Sequence, residues 1–417
     1  MSHRYIDCQA LGGGGVALGA VKEGFTIARR LALPGGFGNA CVDANTHLFG
    51  TDFEMETGEA ELWEPVHGAA YLNGTPPCSG FSVINNNGGP NSRGIDSPIN
   101  SCQRKLVEYA ARCTGEDGRP GPEVVAFESV RQAYSQGKSL MYTYLRILRE
   151  RTGEDYKLYH LLHSDASLNG CQARARYFWY AARIPFRCFV PPQEQPPTYH
   201  EVIGDLMGLQ ETWAPQPRRN LPSDWAMQHA DTNEITAHQW IESPSWRHVQ
   251  STLWDDGWRI GEDVERVLAR YHAQHRTVPK GAEALWERLV LEQFFGRVRR
   301  IDGERRGAWV LTGMCSGGFM HYAEKRGLTV REFARIMSLP DSFSFTWTDS
   351  VAKAASVLAK NCPLTAGRWA ARIALAALDT VEPEGWEEYE LVPDGEHQFM
   401  VDFTHRWKQT VYEEAAA

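Results

Sequence analysis

The residue best suited to covalent chemistry is Cys78, in the segment PPCSGFS at residues 76–82. Two prolines fix the approach to this cysteine at the end of a short apolar run. An Asn/Gly-rich loop follows, of the kind that closes over a ligand. The alternative is a structural cysteine, which is more usual inside an apolar periodic segment. The context favours Cys78 as a nucleophile, a role that requires its thiolate to be stabilised locally.

Charged side chains that could act with Cys78 lie in two later segments. Glu128 ends the apolar run VVAFESV, where burial would raise the pKa of its carboxyl group and suit it to proton transfer near neutral pH. The segment QARAR holds Gln172, Arg174 and Arg176, and the two-residue period of a strand puts both arginines on one face. Paired guanidinium groups bind a carboxylate, a phosphate or a ring oxygen. A capping glutamate and a solvated strand face are the alternatives.

A run of four glycines, Gly12 to Gly15, follows a short strand and precedes an apolar helical stretch. Glycines at a helix start let backbone amides approach a cofactor closely, although a plain turn has the same composition. Asp43, further along, could bind a ribose hydroxyl or could be an ordinary capping residue.

Elements of two kinds must position these residues. Short apolar runs (AAYLNG, VVAFESV) alternate with helix-period segments such as SLMYTYLRILRER, which predicts an open, largely parallel sheet covered on both faces. In such sheets the chemistry lies at the carboxyl ends of the strands. Proline-rich and then Trp-rich sequence interrupts the pattern after about residue 190. Two later helices, LTVREFARIM with Thr329 as its cap and TAGRWAARIALAAL ending near Asp379, restore it.

Composition limits the class of protein. The 417 residues carry a formal net charge of -9, and no apolar run approaches a membrane span, so a cytoplasmic protein without a membrane partner is expected. The nine cysteines are scattered without metal-ligand spacing, which predicts reduced thiols and no metal site. A local concentration of arginine between Arg297 and Arg306 could still bind phosphates. Its members are Arg297, Arg299, Arg300, Arg305 and Arg306.

These motifs, in this order, resemble the DNA (cytosine-5)-methyltransferase family. GGGG is similar to the family's cofactor loop, GTPPCSGFS to its Pro-Cys loop, FESV to its Glu-Asn-Val strand end and QARAR to its Gln-x-Arg-x-Arg motif. RGLTVREFARIMSLPDSF matches its late helix motif, and NCPLTAGRWAARI resembles its final, cofactor-closing motif.

The resemblance implies a Rossmann-like α/β methyltransferase fold, S-adenosylmethionine as cofactor and double-stranded DNA as partner. Cys78 would add to a flipped cytosine, Glu128 would protonate ring nitrogen 3, Arg174 would hold the ring oxygen, and Arg176 would brace the loop or a phosphate. The implied cofactor-binding residues are Gly12, Gly14, Gly15, Asp43, Pro77 and Asn361. The implied substrate-binding residues are Ser82, Gln172, Arg297, Arg299 and Arg300.

The predicted domains follow from the same comparison. Residues 1–190 would form the first part of the catalytic domain, 191–311 an inserted target recognition lobe that reads DNA, and 312–380 the helices that complete the catalytic domain. No role is predicted for 381–417.

Three departures from the family pattern indicate a divergent branch: Ser129 replaces the asparagine after the catalytic glutamate, Cys41 an acidic residue, and Lys360 the glycine before Asn361.

Two rival functions stay open. A tRNA cytosine methyltransferase of the same fold would share the covalent chemistry, whereas a silent DNA-binding scaffold would have no physical need for Cys78, Glu128 and the arginine pair. The large Trp- and Arg-bearing insert and the Gly-Phe-Ser after Cys78 favour DNA. A monomer in a bacterial or phage-infected cell is expected, with a cognate restriction enzyme or an enzyme that further modifies the mark as a partner.

Overall fold

The structure is a computed structural model that describes residues 2–8, 14–32, 39–50, 56–81, 94–208, 299–300, 303–307, 310–311, 319–323, 328–348 and 351–416. For 299–300, 319–320, 351–352 and 412–416 it describes the backbone alone.

The described strands fall into one large sheet and two small ones. The strands are β1 Arg4–Cys8, β2 Thr26–Ala32, β3 Glu56–Thr57, β4 Tyr71–Gly74, β5 Val124–Val130, β6 Lys157–Ser164, β7 Ala175–Ala182, β8 Cys188–Val190, β9 Arg299–Arg300, β10 Phe319–Met320, β11 Glu387–Tyr389, β12 Val392–Gly395 and β13 Gln398–Asp402. Among the described residues the large sheet has the order β12-β13-β6-β7-β5-β4-β1-β2-β3. Its pairs are parallel except where β7 meets β5 and β6 and where β12 meets β13.

Helices cover both faces of this sheet. They are α1 Gly15–Lys22, α2 Asn39–Asp43, α3 Asn100–Ala110, α4 Gln132–Thr152, α5 Tyr199–Ile203, α6 Val330–Ile336, α7 Val351–Lys360, α8 Leu364–Asp379 and α9 Trp407–Ala416. The predicted strands AAYLNG and VVAFESV are β4 and β5, and the predicted helices are α4, α6 and α8. The capping box at the start of α6, in which Thr329 and Glu332 each bond the other's backbone N–H, is confirmed.

The central strands are apolar on both faces because each face carries its own core. In β5, Val124 and Ala126 belong to the core on one face, whereas Val125 and Phe127 belong to the core on the other. This alternation follows from the two-residue period of a strand buried on both sides. The predicted Rossmann-like α/β fold is therefore confirmed.

The two parts of the predicted catalytic domain meet where α1 packs against α8. A Cβ at Gly19 would overlap the backbone of Gly367, and a Cβ at Gly367 would overlap the carbonyl oxygen of Gly15. The two helix backbones approach this closely because none of the three residues has a side chain. Small residues thus join the amino-terminal and carboxyl-terminal segments directly.

The segment after residue 381, for which the sequence predicted no role, extends the sheet. β13 pairs in parallel with β6, β12 forms the outer edge, and β11 pairs with β8. The imidazole of His160 on β6 bonds Tyr177 Oη at 2.6 Å and Gln398 Oε1 at 3.1 Å, so it ties β13 to β6 and β7.

Most of the predicted recognition lobe, residues 191–311, lies outside the described residues. Its described parts pack together: His200 N–H donates to the carbonyl of Gly303 at 2.9 Å, and Arg306 donates to Pro196 O at 2.9 Å and Glu201 at 3.2 Å. Within the described part of the chain, no helix is long and apolar enough to cross a membrane.

We predict that His163→Phe makes the fold less sensitive to acid. His163 packs among the rings of Phe178, Trp369 and Phe403, and burial lowers its pKa from the ordinary 6.5 to about 3. Below pH 6.5 the His163 imidazole binds a proton in the unfolded chain but not in the folded protein. Protonation therefore favours the unfolded chain, and the free energy of unfolding decreases as the pH falls from 6.5 toward 3. Between pH 8 and pH 5 the loss is on the order of 2 kcal/mol.

Urea unfolding of wild type and variant at pH 8 and pH 5 measures this difference. The wild type should lose more stability over the interval than His163→Phe, and the exposed His67→Phe should behave as the wild type. An equal loss in wild type and His163→Phe would refute the assignment.

Candidate active site

Cys78 follows β4 and begins a short turn, in which Phe81 N–H donates to Cys78 O at 3.0 Å. The residue is partly exposed. Burial of the thiol raises the pKa of Cys78, and the Glu128 carboxylate raises it further. Arg176, Arg174 and the backbone N–H of Val130 lower the same pKa. The predicted nucleophile therefore lies within the electrostatic reach of the predicted acid and both predicted arginines.

Glu128 and Arg176 form an ion pair beside Cys78. Arg176 Nε donates to Glu128 Oε1 at 2.8 Å, and Glu128 is 6% exposed. The pair forms because β5 and β7 are antiparallel neighbours, with Val130 opposite Arg176 in the register. Burial raises the pKa of Glu128, while the two arginines lower it. A carboxyl group with opposing influences of this kind is suited to carry a proton.

Arg174 binds backbone carbonyls, which differs from its predicted role at a substrate ring. One terminal nitrogen donates to Leu311 O at 2.7 Å, and the other donates to Ala359 O at 2.7 Å and Asn361 O at 3.1 Å. Its side chain is 2% exposed. Arg176, placed by the sequence as a brace, is the arginine that contacts Glu128, so it is better placed than Arg174 to meet a ring held at that carboxyl group.

Gln172, predicted to contact substrate, is fully buried as a brace between segments. Its amide nitrogen donates to Ile336 O at 3.0 Å, and its oxygen accepts from Leu311 N–H at 3.1 Å. Both terminal groups of the side chain are thus engaged within the protein.

Asp165 is a site residue that the sequence analysis missed. It accepts from the backbone N–H of Gln172 at 3.1 Å and from the hydroxyl of Thr365, and burial raises its pKa to about 6. It holds the QARAR segment against the start of α8. The sequence offers no signal for the contact with Thr365, since Asp165 and Thr365 are 200 residues apart in the chain.

Gly14 and Gly15, the two described residues of the glycine run, are fixed by contacts inside the protein. Gly14 has a φ of 80°, in the left-handed region that favours glycine. Gly15 N–H donates to Asn361 Oδ1 at 2.9 Å, and a Cβ at Gly15 would overlap Cys362 O. These two glycines let α1 begin against the segment after α7. Pro77 directly precedes Cys78, and Asp43 is the partly exposed last residue of α2.

Unsatisfied polar atoms gather at the carboxyl ends of β1 and β4. Asp7, the residue before the end of β1, lies in register between Asn73 of β4 and Arg30 of β2. Burial raises the pKa of Asp7 to about 6. Among the described residues, Asp7 Oδ2, Asn73 Oδ1 and Asn361 Nδ2 are buried without a hydrogen-bond partner.

This end of the sheet is also where the strand order changes direction, since β2 lies on one side of β1 and β4 on the other. Ligands of open α/β sheets bind at such a point. The unpartnered acceptor of Asn73 and the unpartnered donor of Asn361 fit the hydroxyl and amino groups of a nucleoside-bearing cofactor, while Asp7 Oδ2 lies 3.9 Å from Arg30 Nε in a buried ion pair.

For the remaining predicted site residues the structure describes no side-chain position. Gly12, Ser82 and Arg297 lie outside the described residues, and Arg299 and Arg300 are described by backbone alone, in β9 paired with β10. All eight cysteines of the described part have free thiols, as predicted, and six of them are buried.

The sheet order, with β7 as an antiparallel insertion next to β5, and the site at the carboxyl ends of β1, β4 and β5 define an α/β methyltransferase of the S-adenosylmethionine-dependent type. A family model for C-5 cytosine-specific DNA methylase matches residues 63–358, which is most of the chain. The chain belongs to this family, so the resemblance seen in the motifs is confirmed and the family's chemistry is methylation of cytosine at carbon 5.

Solved structures share the fold at low sequence identity. The S. pombe Dnmt2 methyltransferase is 10% identical, with 90% of this chain and 99% of that chain covered and a TM-score of 0.52. A putative DNA modification methyltransferase encoded within a prophage of E. coli is 16% identical, with 91% and 100% covered and a TM-score of 0.54. The Entamoeba histolytica methyltransferase EhMeth is 11% identical, with 91% and 99% covered and a TM-score of 0.54. Comparison with curated proteins finds no match.

We predict that Arg174→Met and Arg176→Met have different effects: the first mainly lowers stability, and the second mainly lowers turnover. Arg174→Met leaves buried carbonyls without their donor, which costs about 1 to 3 kcal/mol for each unsatisfied group. Arg176→Met leaves Glu128 able to take a proton and stay neutral, so this variant should keep more of the wild-type stability while its turnover falls on the order of a hundredfold.

Urea unfolding and turnover of both variants test this. The substitution is chemically the same and the positions are two residues apart, one just before β7 and one within it, so each variant controls for the other. Loss of stability in Arg176→Met equal to that in Arg174→Met would contradict the division of roles.

Proposed function

We propose that this protein transfers a methyl group from S-adenosylmethionine to carbon 5 of a flipped-out cytosine in DNA through a covalent adduct with Cys78. The observation that carries the proposal is the grouping of the Cys78 thiol with the Glu128–Arg176 ion pair. A nucleophile, a proton donor and a cation in one cluster are what addition to a cytosine ring requires.

The chemistry starts at Cys78. Attack of its thiolate on carbon 6 forms a sulfur–carbon bond, and the electrons of the ring double bonds move toward ring nitrogen 3. Glu128 delivers a proton to that nitrogen, which leaves a neutral enamine with a nucleophilic carbon 5. Because burial raises the pKa of Glu128, the proton is available closer to neutral pH than on an exposed carboxyl group.

Arg176 is the group we assign to the ring oxygen, in place of Arg174. It already contacts Glu128, so a base whose nitrogen 3 meets that carboxyl group presents its adjacent oxygen to the same guanidinium. Its positive charge also favours the thiolate of Cys78. Arg174 then supports the site through its hydrogen bonds to three backbone carbonyls.

S-adenosylmethionine, when bound, supplies a methyl group attached to a positively charged sulfur. We assign Asn73, Asn361 and the Asp7 carboxylate to holding it. Each has a buried polar atom without a hydrogen-bond partner at the end of the sheet where the strand order reverses, and Asp7 is ion-paired there with Arg30. We keep the assignment of Gly12, Gly14 and Asp43 to cofactor binding at the same end of the sheet. Cys41 cannot replace an acidic ribose ligand, because it is fully buried and burial raises its pKa to about 12.

After carbon 5 has taken the methyl group, the ring must be restored. A base removes the proton from carbon 5, those electrons re-form the ring double bond, the sulfur–carbon bond breaks, and Cys78 leaves as the thiolate while nitrogen 3 returns its proton to Glu128. The target carbon is inaccessible in a stacked duplex, so the base must first be flipped into the site.

DNA is the favoured substrate because of the insert between residues 191 and 311, which is large enough to read a groove and carries the arginine concentration at Arg297–Arg306. One of the solved structures that shares the fold is a putative DNA modification methyltransferase encoded within an E. coli prophage. A tRNA substrate is the second candidate, because the covalent chemistry does not distinguish them.

We predict that DNA containing 5-fluorocytosine traps the protein in a complex that survives denaturation. Fluorine cannot leave carbon 5 as a proton does, so the final elimination is blocked and the Cys78 adduct persists. Denaturing gels measure the complex. Cys78→Ala should abolish trapping and turnover, while Cys102→Ala, at a partly exposed cysteine on α3, should keep both.

The same assay with fluorinated tRNA separates the two substrates. Trapping of tRNA in place of DNA would overturn the DNA assignment and leave the nucleophile intact. Turnover by Cys78→Ala would overturn the nucleophile.

We predict that sequence choice depends on arginines of the lobe. Losing a bidentate contact to guanine typically relaxes discrimination by about 1 to 3 kcal/mol, whereas losing a phosphate contact weakens binding equally on all sequences. Single Arg→Gln substitutions at 297, 299 and 300 should therefore include variants that broaden the methylated context. Arg306→Gln is the matched control, because that side chain is held by Pro196 and Glu201.

Sequencing of methylated cytosines in a host free of cytosine methylation, beside DNA affinity at several salt concentrations, gives the readout. If no substitution within residues 191–311 alters the DNA sequence that surrounds the methylated cytosines, the lobe does not read DNA.

A further inference from the structure

The chain leaves the large sheet at the end of β13 and turns at residues 403–407, which we call the C-terminal turn. Phe403 N–H donates to the carbonyl of Leu162 at 3.0 Å, so the turn begins beside the end of β6. Because β13 and β6 are parallel, this is the carboxyl edge of the sheet, where the candidate active site also lies. Two consecutive side chains of the turn, those of Arg406 and Trp407, contact the recognition lobe.

Arg406 holds the start of the lobe. Its Nη1 donates to the carbonyl of Pro191, the first residue of the lobe, at 2.6 Å, and its Nη2 donates to Glu387 Oε2 at 2.9 Å. Glu387 lies on β11, where it is opposite Val190 of β8 in the register. Arg406 Cζ lies 5.4 Å from the centre of the Tyr389 ring, and the Arg406 side chain is 8% exposed. The chain thus enters the lobe between a backbone pairing and a nearly buried guanidinium, both supplied by the C-terminal part of the chain.

Trp407 covers the end of the lobe. A Cβ at Gly307 would overlap the indole ring of Trp407, so the ring lies directly against the Gly307 backbone. Gly307 is buried and has a φ of 60°, in the left-handed region that favours glycine. The neighbouring Arg306 donates to Pro196 O at 2.9 Å and to Glu201 at 3.2 Å, so the two ends of the lobe are also joined to each other.

The position of the C-terminal turn limits how the lobe can move. A lobe that is inserted through two crossings of the chain can rotate about the line between them unless a third contact fixes it, and motion between domains is the rule when their interface is small. The turn contacts both crossings with adjacent residues, and β13 anchors it in the sheet. It therefore restrains rotation of the lobe relative to the candidate active site.

We propose that Arg406 and Trp407 are positioning residues that set the orientation of the recognition lobe relative to Cys78. They thereby determine how efficiently nucleic acid bound by the lobe is presented to the nucleophile. The proposal rests on the proposed function, in which the lobe binds nucleic acid and Cys78 reacts with it. The competing role for the two side chains is to stabilise the folded catalytic domain, which would alter unfolding without altering the rate of the folded enzyme.

Two measurements, made where urea unfolding shows every variant to be folded, distinguish these roles. They are the Kd for double-stranded DNA free of cytosine methylation and kcat with S-adenosylmethionine at saturating DNA. The variants are Trp407→Ala, Trp407→Phe and Arg406→Met. Lys138→Met is the matched control for Arg406→Met, because Lys138 forms an ion pair with Asp394 at 2.5 Å that joins β12 to α4.

In Trp407→Ala, kcat should fall on the order of tenfold, because a small displacement of bound substrate from the reacting groups is costly. The Kd should stay within about threefold of the wild-type value, because the lobe keeps its own contacts with DNA. Arg406→Met should show the same split, Trp407→Phe should recover most of the wild-type kcat, and Lys138→Met should match the wild type. A wild-type kcat in Trp407→Ala overturns the proposal, whether or not the affinity or the stability falls. If the trapping assay identifies tRNA as the substrate, the same split is measured with tRNA.

Hydrogen exchange in the free protein tests the contacts apart from the proposed function, since it needs neither cofactor nor nucleic acid. Amides of α5 and of residues 303–307 should exchange faster in Trp407→Ala than in the wild type, while those of α4 should be unchanged. Unchanged exchange at α5 and 303–307 would overturn the proposal. Faster exchange, together with a wild-type protein that methylates neither DNA nor tRNA, would support the restraint on the lobe and reject the proposed function.

Discussion

Three backbone carbonyls from distant parts of the chain converge on the guanidinium of Arg174, and the site depends on that convergence. Leu311 belongs to the end of the predicted lobe, while Ala359 and Asn361 flank the end of α7. A buried guanidinium with five fixed donors can satisfy several carbonyls at once, which a lysine in the same place could not do with the same geometry. Removing it would leave the carbonyls unpaired and release the segment that carries Lys360 and Asn361.

Burial and charge oppose each other around Cys78, and their balance gives the site its chemistry. Burial favours the neutral forms of the Cys78 thiol and the Glu128 carboxyl group, so it prepares an acid but works against a nucleophile. The arginines favour the charged forms of both.

The cofactor end of the sheet is organised by close packing. Gly15, Gly19 and Gly367 bring α1 and α8 into backbone contact, and Asn361 bonds the first turn of α1. Asp7 and Asn73 then lie near strand ends, each with a buried oxygen that accepts no hydrogen bond, and the Asp7 carboxylate lies 3.9 Å from Arg30 Nε. Orphaned polar groups are costly inside a protein, and their presence at the switch point is accounted for by a ligand that completes them.

The sequence by itself determined the fold class and the principal strands and helices, and it singled out Cys78 and Glu128 as candidate reactive groups, because these follow from local properties: apolar periodicity, the diproline before Cys78 and a carboxylate at a strand end. Tertiary structure decided which arginine meets Glu128, since a two-residue period puts Arg174 and Arg176 on one face and cannot say which one the neighbouring segments engage. It also decided that Gln172 is a brace, that Asp165 holds the QARAR segment, and that the segment after residue 381 extends the sheet. Each of these rests on contacts between residues far apart in the chain, and the physical reason they escaped prediction is that periodicity and local composition carry no information about which distant segment will supply the partner.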